Sequence, residues 1–268
     1  MTKPESIVRT VGGVDLINPK EFSLALLDLP IETRLMGALA LAGAKSWDND
    51  GRYIAEPKVS VVAINGATFD TEVSSQDDIT DAVNNSRSIM ELSSAFSYLN
   101  SGNLETGRLY DRVVDLGHFS VAHTVTINLI VAGSSVAVEN EFNSQRDIMH
   151  MSRITVGRTA LQSLPPIVVR DEQFVDMTQS ITEYVDQKTA LIEIEAGASR
   201  EDKMDFYEMR NLLYPAAKAN AFMVSASTRN LQKLIAQKED KGKEEEYRVI
   251  LNQINEQLNG IWPEIFTK

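Results

Sequence analysis

Three arginines and a histidine stand in settings where their side chains could do chemistry. His118 follows Gly117 and precedes Phe119-Ser120-Val121; Arg146 closes the run Ser144-Gln145-Arg146; Arg210 lies shortly before Pro215; Arg229 ends Ser225-Ala226-Ser227-Thr228-Arg229. The planar fork of an arginine makes paired hydrogen bonds to a phosphate or to the carbonyl edge of a pyrimidine, so the set suits a nucleotide. Each residue also has a plainer reading. Gly117 can be a helix C-cap with His118 bonding to nearby chain. Arg146 on a solvated helix face can pair with Asp147 or Glu141, and Arg210 beside a helix end can do likewise. Arg229, directly after a run of small residues, is the strongest ligand candidate of the four.

Other chemistries are excluded by what the sequence lacks. Its three histidines, His118, His123 and His150, are spaced neither as HExxH nor as a zinc-finger pair. The absence of cysteine removes disulfides, thiolate metal sites and a thiol nucleophile together. No GxGxxG follows a strand, and neither GxxxxGK[ST] nor GxSxG occurs, so Rossmann, P-loop and α/β-hydrolase sites have no basis here. A net charge of −12 argues against coating nucleic acid or an anionic membrane, so a phosphate-bearing ligand must meet a local basic pocket. No apolar stretch reaches bilayer length and the N-terminus has no leader-like core, which places the expected protein in the cytoplasm.

The elements that must position these residues are irregularly mixed. Apolar spacing predicts two short helices between Pro19 and Trp47, broken at Pro30, and Lys58–Ile64 reads as a strand leaving through Asn65-Gly66. Helices follow over 77–98 and from about Leu104 to Leu116, where Gly117 stops the chain. His123–Val131 alternates as a strand with Thr124, Thr126 and Asn128 on an open polar face. Gly133-Ser134-Ser135 should then turn into a helix that carries Val138, Phe142 and Ile148 and holds Ser144, Gln145 and Arg146 near its middle. Phe142, Met149 and Met151 read as core. Acidic helices fill 171–196 and 200–213, Asn220–Ser227 reads as a strand, and a helix striped with Leu231, Leu234 and Ile235 runs from Thr228 to Asp240. The Lys/Glu run 238–246 reads as a solvated linker or helix end. The irregular order favours an α+β fold over a regular βαβ array.

In order and in spacing these segments resemble the flavin-dependent thymidylate synthases. That family carries GHxSVxEH, a strand, a G-V-S-R turn and a helix bearing R-H-R, then R-x-x-L-P and T-G-N-x-R. Here the counterparts are Gly117–Val121, Gly133, Arg146, Arg210 with Pro215, and Ser225–Arg229, closed by Trp262-Pro263-Glu264-Ile265-Phe266. The resemblance implies mixed helices around a central antiparallel sheet, with 58–268 the flavin domain; residues 1–57, which the resemblance does not cover, read as a mostly helical N-terminal extension. It further implies a homotetramer holding FAD between subunits and passing a folate-derived one-carbon unit to dUMP. Carried across by position, His118, Arg146, Ser227 and Arg229 would contact FAD, while Arg210, Lys238 and Arg158 would hold the nucleotide.

Several positions depart from the family's pattern. Its Glu-His pair becomes His123-Thr124, the G-V-S-R arginine becomes Val136, and the first two members of R-H-R become Ser144 and Gln145. The family asparagine is Ser227, and the late arginine that reads the uracil ring is Lys238, which keeps the charge without the fork. The serine-x-arginine element falls on Ile154 and Val156 unless a short insertion lets Gly157-Arg158-Thr159 serve. Two functions follow: a divergent FAD-dependent enzyme acting on C5 of dUMP or a related pyrimidine nucleotide, or a non-catalytic homologue that keeps the scaffold for assembly, nucleotide binding or an active partner.

Overall fold

The computed structural model describes residues 7–30, 33–46, 53–69, 75–97, 109–145, 149–153, 165–190 and 198–267. The chain opens with a hairpin of Val8–Val11 (β1) and Val14–Ile17 (β2), joined by Gly12-Gly13 with φ of 57° and 85°. Positive φ at both central residues is what a tight two-residue turn of matching twist requires. That Gly-Gly step between two β-branched runs was a readable hairpin signal, and the expectation of a mostly helical N-terminus overlooked it. Asn18 then caps α1 (Pro19–Leu27) by accepting from the N–H groups of Lys20 and Glu21, and α2 (Arg34–Leu41) follows the Pro30 break as expected.

Lys45–Ser46 (β3) and Ile54–Glu56 (β4) form a small ribbon, after which Lys58–Ile64 (β5) turns at Asn65-Gly66 into Ala67–Thr68 (β6). Gln76–Ser97 (α3) and Leu109–Asp115 (α4) lead to Gly117, whose φ of 85° ends the helical run. A 3-10 turn, Phe119–Thr124, precedes the long strand Thr126–Ser135 (β7). Next come Val136–Asn143 (α5), His150–Arg153 (β8), Val175–Ala190 (α6) and Arg200–Leu213 (α7). Ala219–Ser227 (β9), Thr228–Ile235 (α8), Glu245–Ile261 (α9) and Pro263–Phe266 (α10) complete the chain.

The main sheet runs β1-β2-β5-β7-β9-β8, with β6 on β5. The α+β class holds, and the strand pairs of this sheet are antiparallel except that β2 lies parallel to β5, so the sheet is mixed. On one face Val61, Ile127, Leu129, Phe222 and Val224 meet the apolar stripe of α9, Tyr247, Ile250, Ile254 and Leu258, with Trp262 beyond. On the other, α1 and α2 cover Val62, Ala132, Ala219 and Ala221. A polar bolt joins the ends of the chain: Gln257 on α9 accepts from the backbone N–H of Asp15 at 2.7 Å, and the Asp15 carboxylate takes Lys58 at 2.5 Å and the Thr10 hydroxyl at 2.6 Å. Satisfying every acceptor of a carboxylate that is only 6% exposed is what makes its burial tolerable.

Two local expectations are corrected. The strand expected from His123 begins at Thr126, because Thr124 Oγ1 donates to the Val121 carbonyl at 2.7 Å and winds 119–124 into the 3-10 turn. The helix expected to carry Ser144, Gln145 and Arg146 in its middle ends at Asn143. Gly133 does not turn the chain out of the sheet: its φ of 78° makes a bulge, β7 continues to Ser135, and Ser135 caps α5 through its hydroxyl. Ser144 is then the C-cap, while Arg146 and Ile148 lie outside the described residues. Phe142 and Met149 are core, and Met151 packs against it.

Candidate functional site

Two segments 104 residues apart in sequence are locked together at one end of the sheet. Thr228, first residue of α8, donates its N–H to the Val125 carbonyl at 3.0 Å and its hydroxyl to the Ala122 carbonyl at 2.6 Å. These bonds fix the 3-10 turn after His118 against the start of α8. His123 Nδ1 consequently meets Ser227 Oγ at 2.9 Å. The same hydroxyl accepts from the Asn230 N–H at 3.3 Å as the cap of α8, so we assign its proton to the bond with His123. Nδ1 is then an acceptor, and the ring's donor is Nε2–H.

Desolvation, then the charges of Lys233 and Arg229, hold the His123 pKa below its ordinary value. The unfolded chain therefore binds more protons than the folded one between the folded pKa and about 6.5. The stabilisation is present above that window and is lost as the pH falls through it. Wild type should lose melting temperature more steeply than His123→Gln between about pH 7.5 and about pH 5.5; parallel curves would contradict the assignment.

Arg229 lies over the exposed Phe119, its Cζ 3.9 Å from the ring centroid, and its Nη1 donates to Gln232 Oε1 at 3.2 Å. Among the described residues it has no carboxylate partner, so most of its N–H donors remain unspent. Lys233 follows one helical turn later and is exposed. In a chain of net charge −12 this is a local cationic edge, of the sort a phosphate-bearing ligand needs.

Beside that edge the sheet presents a neutral polar shelf. Thr126 pairs with Ser227, Asn128 with Ser225, and His150 with Ser225 from the other side. Their neighbours Ile127, Leu129, Val224 and Ala226 point into the core, so Thr126, Asn128, Ser225, His150 and Ser152 share the opposite face and are exposed or half-buried. This is the polar strand face expected from the alternation after His123. Phe119, Lys233 and the His123–Ser227 pair went unnoticed in sequence; only the one-turn spacing of Arg229 and Lys233 offered a signal.

The remaining candidates are placed as follows. His118 is exposed at the cap of the 3-10 turn, its N–H on the Val113 carbonyl at 3.1 Å. Arg210 is tied to the Asp186 carboxylate on α6, and its Nη2 reaches the Tyr214 hydroxyl at 2.9 Å. Lys238 is half-buried in the 3-10 turn Ala236–Glu239, and among the described residues no carboxylate pairs with it. Arg146 and Arg158 lie outside the described residues. No group of three or more potential metal ligands occurs among the described residues.

This α+β body has the fold of the flavin-dependent thymidylate synthases. The enzyme ThyX of Helicobacter pylori, solved with FAD and dUMP, superposes with a TM-score of 0.54 at 15% identity, over 67% of this chain and 93% of that one. The UMP/dUMP methylase PolB of Streptomyces cacaoi, bound with 5-Br dUMP, superposes with a TM-score of 0.54 at 11% identity, over 81% of this chain and 96% of that one. By sequence, no family model and no curated protein matches.

Proposed function

We propose that the chain is a divergent relative of the flavin-dependent thymidylate synthases that binds a pyrimidine nucleotide and transfers a one-carbon unit to C5 of dUMP or a related nucleotide. The observation that carries this reading is Arg229, unpaired with any described carboxylate and stacked on Phe119 beside the His123–Ser227 pair. A guanidinium with spare donors suits a phosphate, and an exposed aromatic ring suits a flat heterocycle. The shelf residues Thr126, Asn128 and Ser225 supply neutral partners for carbonyl and imide edges, and His123 offers Nε2–H as one more donor. The residues present fit FAD or a nucleotide at this edge, Arg229 and Lys233 supplying the charge a phosphate needs. When bound, flavin would supply the reducing equivalents that turn a transferred one-carbon unit into a methyl group. In this reading His118 also faces the cofactor, and Arg210, Lys238, Arg146 and Arg158 are further contacts. Residues 58–268 form the flavin module, residues 1–57 an addition that widens its sheet, folate is the one-carbon donor, and the compartment is the cytoplasm. Among the described residues no helix is long and apolar enough to cross a membrane.

A homotetramer belongs to the same proposal, supported by apolar stripes at helical spacing: Met177, Ile181 and Tyr184 on α6, Met209, Leu212 and Leu213 on α7, and Ile89, Leu92 and Phe96 on α3, all exposed. A second reading, a homologue without catalysis, is favoured by one specific observation: the Ser227 hydroxyl is already engaged as a helix cap and with His123 Nδ1. The test is the visible absorbance of the purified protein after incubation with excess FAD and gel filtration, followed by reoxidation of the reduced flavin, without oxygen, by methylene-tetrahydrofolate in the presence and absence of dUMP. Flavin that co-elutes and responds to dUMP is the expected result. A colourless protein that still binds dUMP would leave the non-catalytic reading in place.

A further inference from the structure

We propose that Gln232, clamped by the main chain of the C-terminal segment, is the residue that sets the position of the Arg229 guanidinium. The inference rests on Arg229 as the ligand-binding arginine of the preceding section. A glutamine amide has one accepting end and one donating end, and both are committed here. Nε2 donates to the Ile265 carbonyl at 2.8 Å, which can only accept, and this forces Oε1 toward Arg229, whose Nη1 it takes at 3.2 Å. With the amide reversed, N–H would face N–H and the guanidinium would be pushed off.

The carbonyl that dictates this orientation is itself fixed. The backbone N–H of Ile265 bonds to the Trp262 carbonyl at 3.2 Å, Trp262 N–H bonds to Leu258 at 2.8 Å, and the Trp262 and Ile265 side chains are buried. Gln232, Trp262 and Ile265 line one small cleft with Arg87, Tyr110, Asp111 and Glu264. Tyr110 is a neutral phenol at neutral pH, Asp111 is held by Arg87 at 2.9 Å, and among the described residues no carboxylate pairs with Arg229. Gln232 thus holds the guanidinium against Phe119 without neutralising it, whereas a carboxylate at the same place would consume its charge. Through this amide the last helix of the chain is linked to the ligand edge.

The test uses the full chain labelled with 13C in arginine, with the Arg229 signals assigned by Arg229→Lys. Stacking on Phe119 moves the Arg229 δ-proton resonances upfield, and Phe119→Leu gives the unstacked reference. In Gln232→Leu the resonances should move at least halfway to that reference, and dUMP, titrated into each protein, should bind about 10-fold more weakly than to wild type. In Gln232→Glu the guanidinium stays held but dUMP binding should fall as far, because the charge is spent. Arg229 resonances that keep their wild-type position in a folded Gln232→Leu protein would overturn the proposal. If wild type itself fails to bind dUMP while the resonances still move, the positioning stands and the nucleotide reading beneath it is what fails.

Discussion

Truncating Phe142 to alanine is expected to lower the unfolding free energy by about 3–5 kcal/mol. The side chain has no solvent exposure and joins three elements. From α5 it meets Phe222 of β9 with ring centroids 5.2 Å apart and Tyr247 of α9 at 5.0 Å, both at inclined angles. Removing it loses the transfer free energy of a phenyl ring and opens a void between strands and helices that already hydrogen-bond in fixed register, so collapse is limited. The size of this loss is a large share of the stability of a typical domain. Urea denaturation checks it through the midpoint at constant slope. A loss below about 1.5 kcal/mol would mean that α5 shifts freely to fill the void, contrary to its cap by Ser135 and the grip of Glu246 on that serine at 2.7 Å.

Arg229→Ala should do the reverse, leaving the fold nearly intact and removing ligand binding. Its stacking on Phe119 is exposed to solvent, so the stability cost should not exceed about 1 kcal/mol. Each charge-assisted hydrogen bond lost to a phosphate is worth roughly 1.5–3 kcal/mol, which is about a 10- to 150-fold rise in dissociation constant. Isothermal titration with dUMP and with FAD, set beside thermal melts, separates the two effects. Unchanged affinity for both ligands would remove Arg229 from the site. A large drop in melting temperature would show instead that the stack on Phe119 holds the 3-10 turn in place.

The parts of the fold that could be read in the sequence were those whose pattern is local. β5 shows in its β-branched run and Asn65-Gly66 exit, β7 in its alternation and α8 in its apolar stripe, and Gly117 and Pro215 mark the stops beside His118 and Arg210. α9 escaped notice because its start lies in the Lys/Glu run, although Tyr247, Ile250, Ile254, Leu258 and Ile261 make a regular helical stripe. β8 has four residues and alternates weakly, so its place on the sheet edge is decided by pairing with β9 and not by propensity. The site divided in the same way. Arg229 and Ser227 stood out by their neighbours in sequence, but the partner of Ser227 is a histidine 104 positions earlier, and the partner of Arg210 is an aspartate on another helix. Contacts of that kind are set by tertiary packing, for which spacing along the chain carries no signal.

The bolt between Asp15 and Gln257 has a consequence for the order in which the protein is made. Synthesis runs from the N-terminus at about 5–20 residues per second, so the β1–β2 hairpin leaves the ribosome early and waits for β5, then for α9, 242 positions later. During that interval the backbone N–H of Asp15 has no Gln257 Oε1 to accept from it, and the apolar face of β2 has no helix to cover it. The interior strand β9 also arrives late, after β7 and β8, its neighbours on either side. Nascent chains stalled before about residue 245 should therefore be open to protease throughout the sheet, and protection should arrive in one late step when the final helix docks.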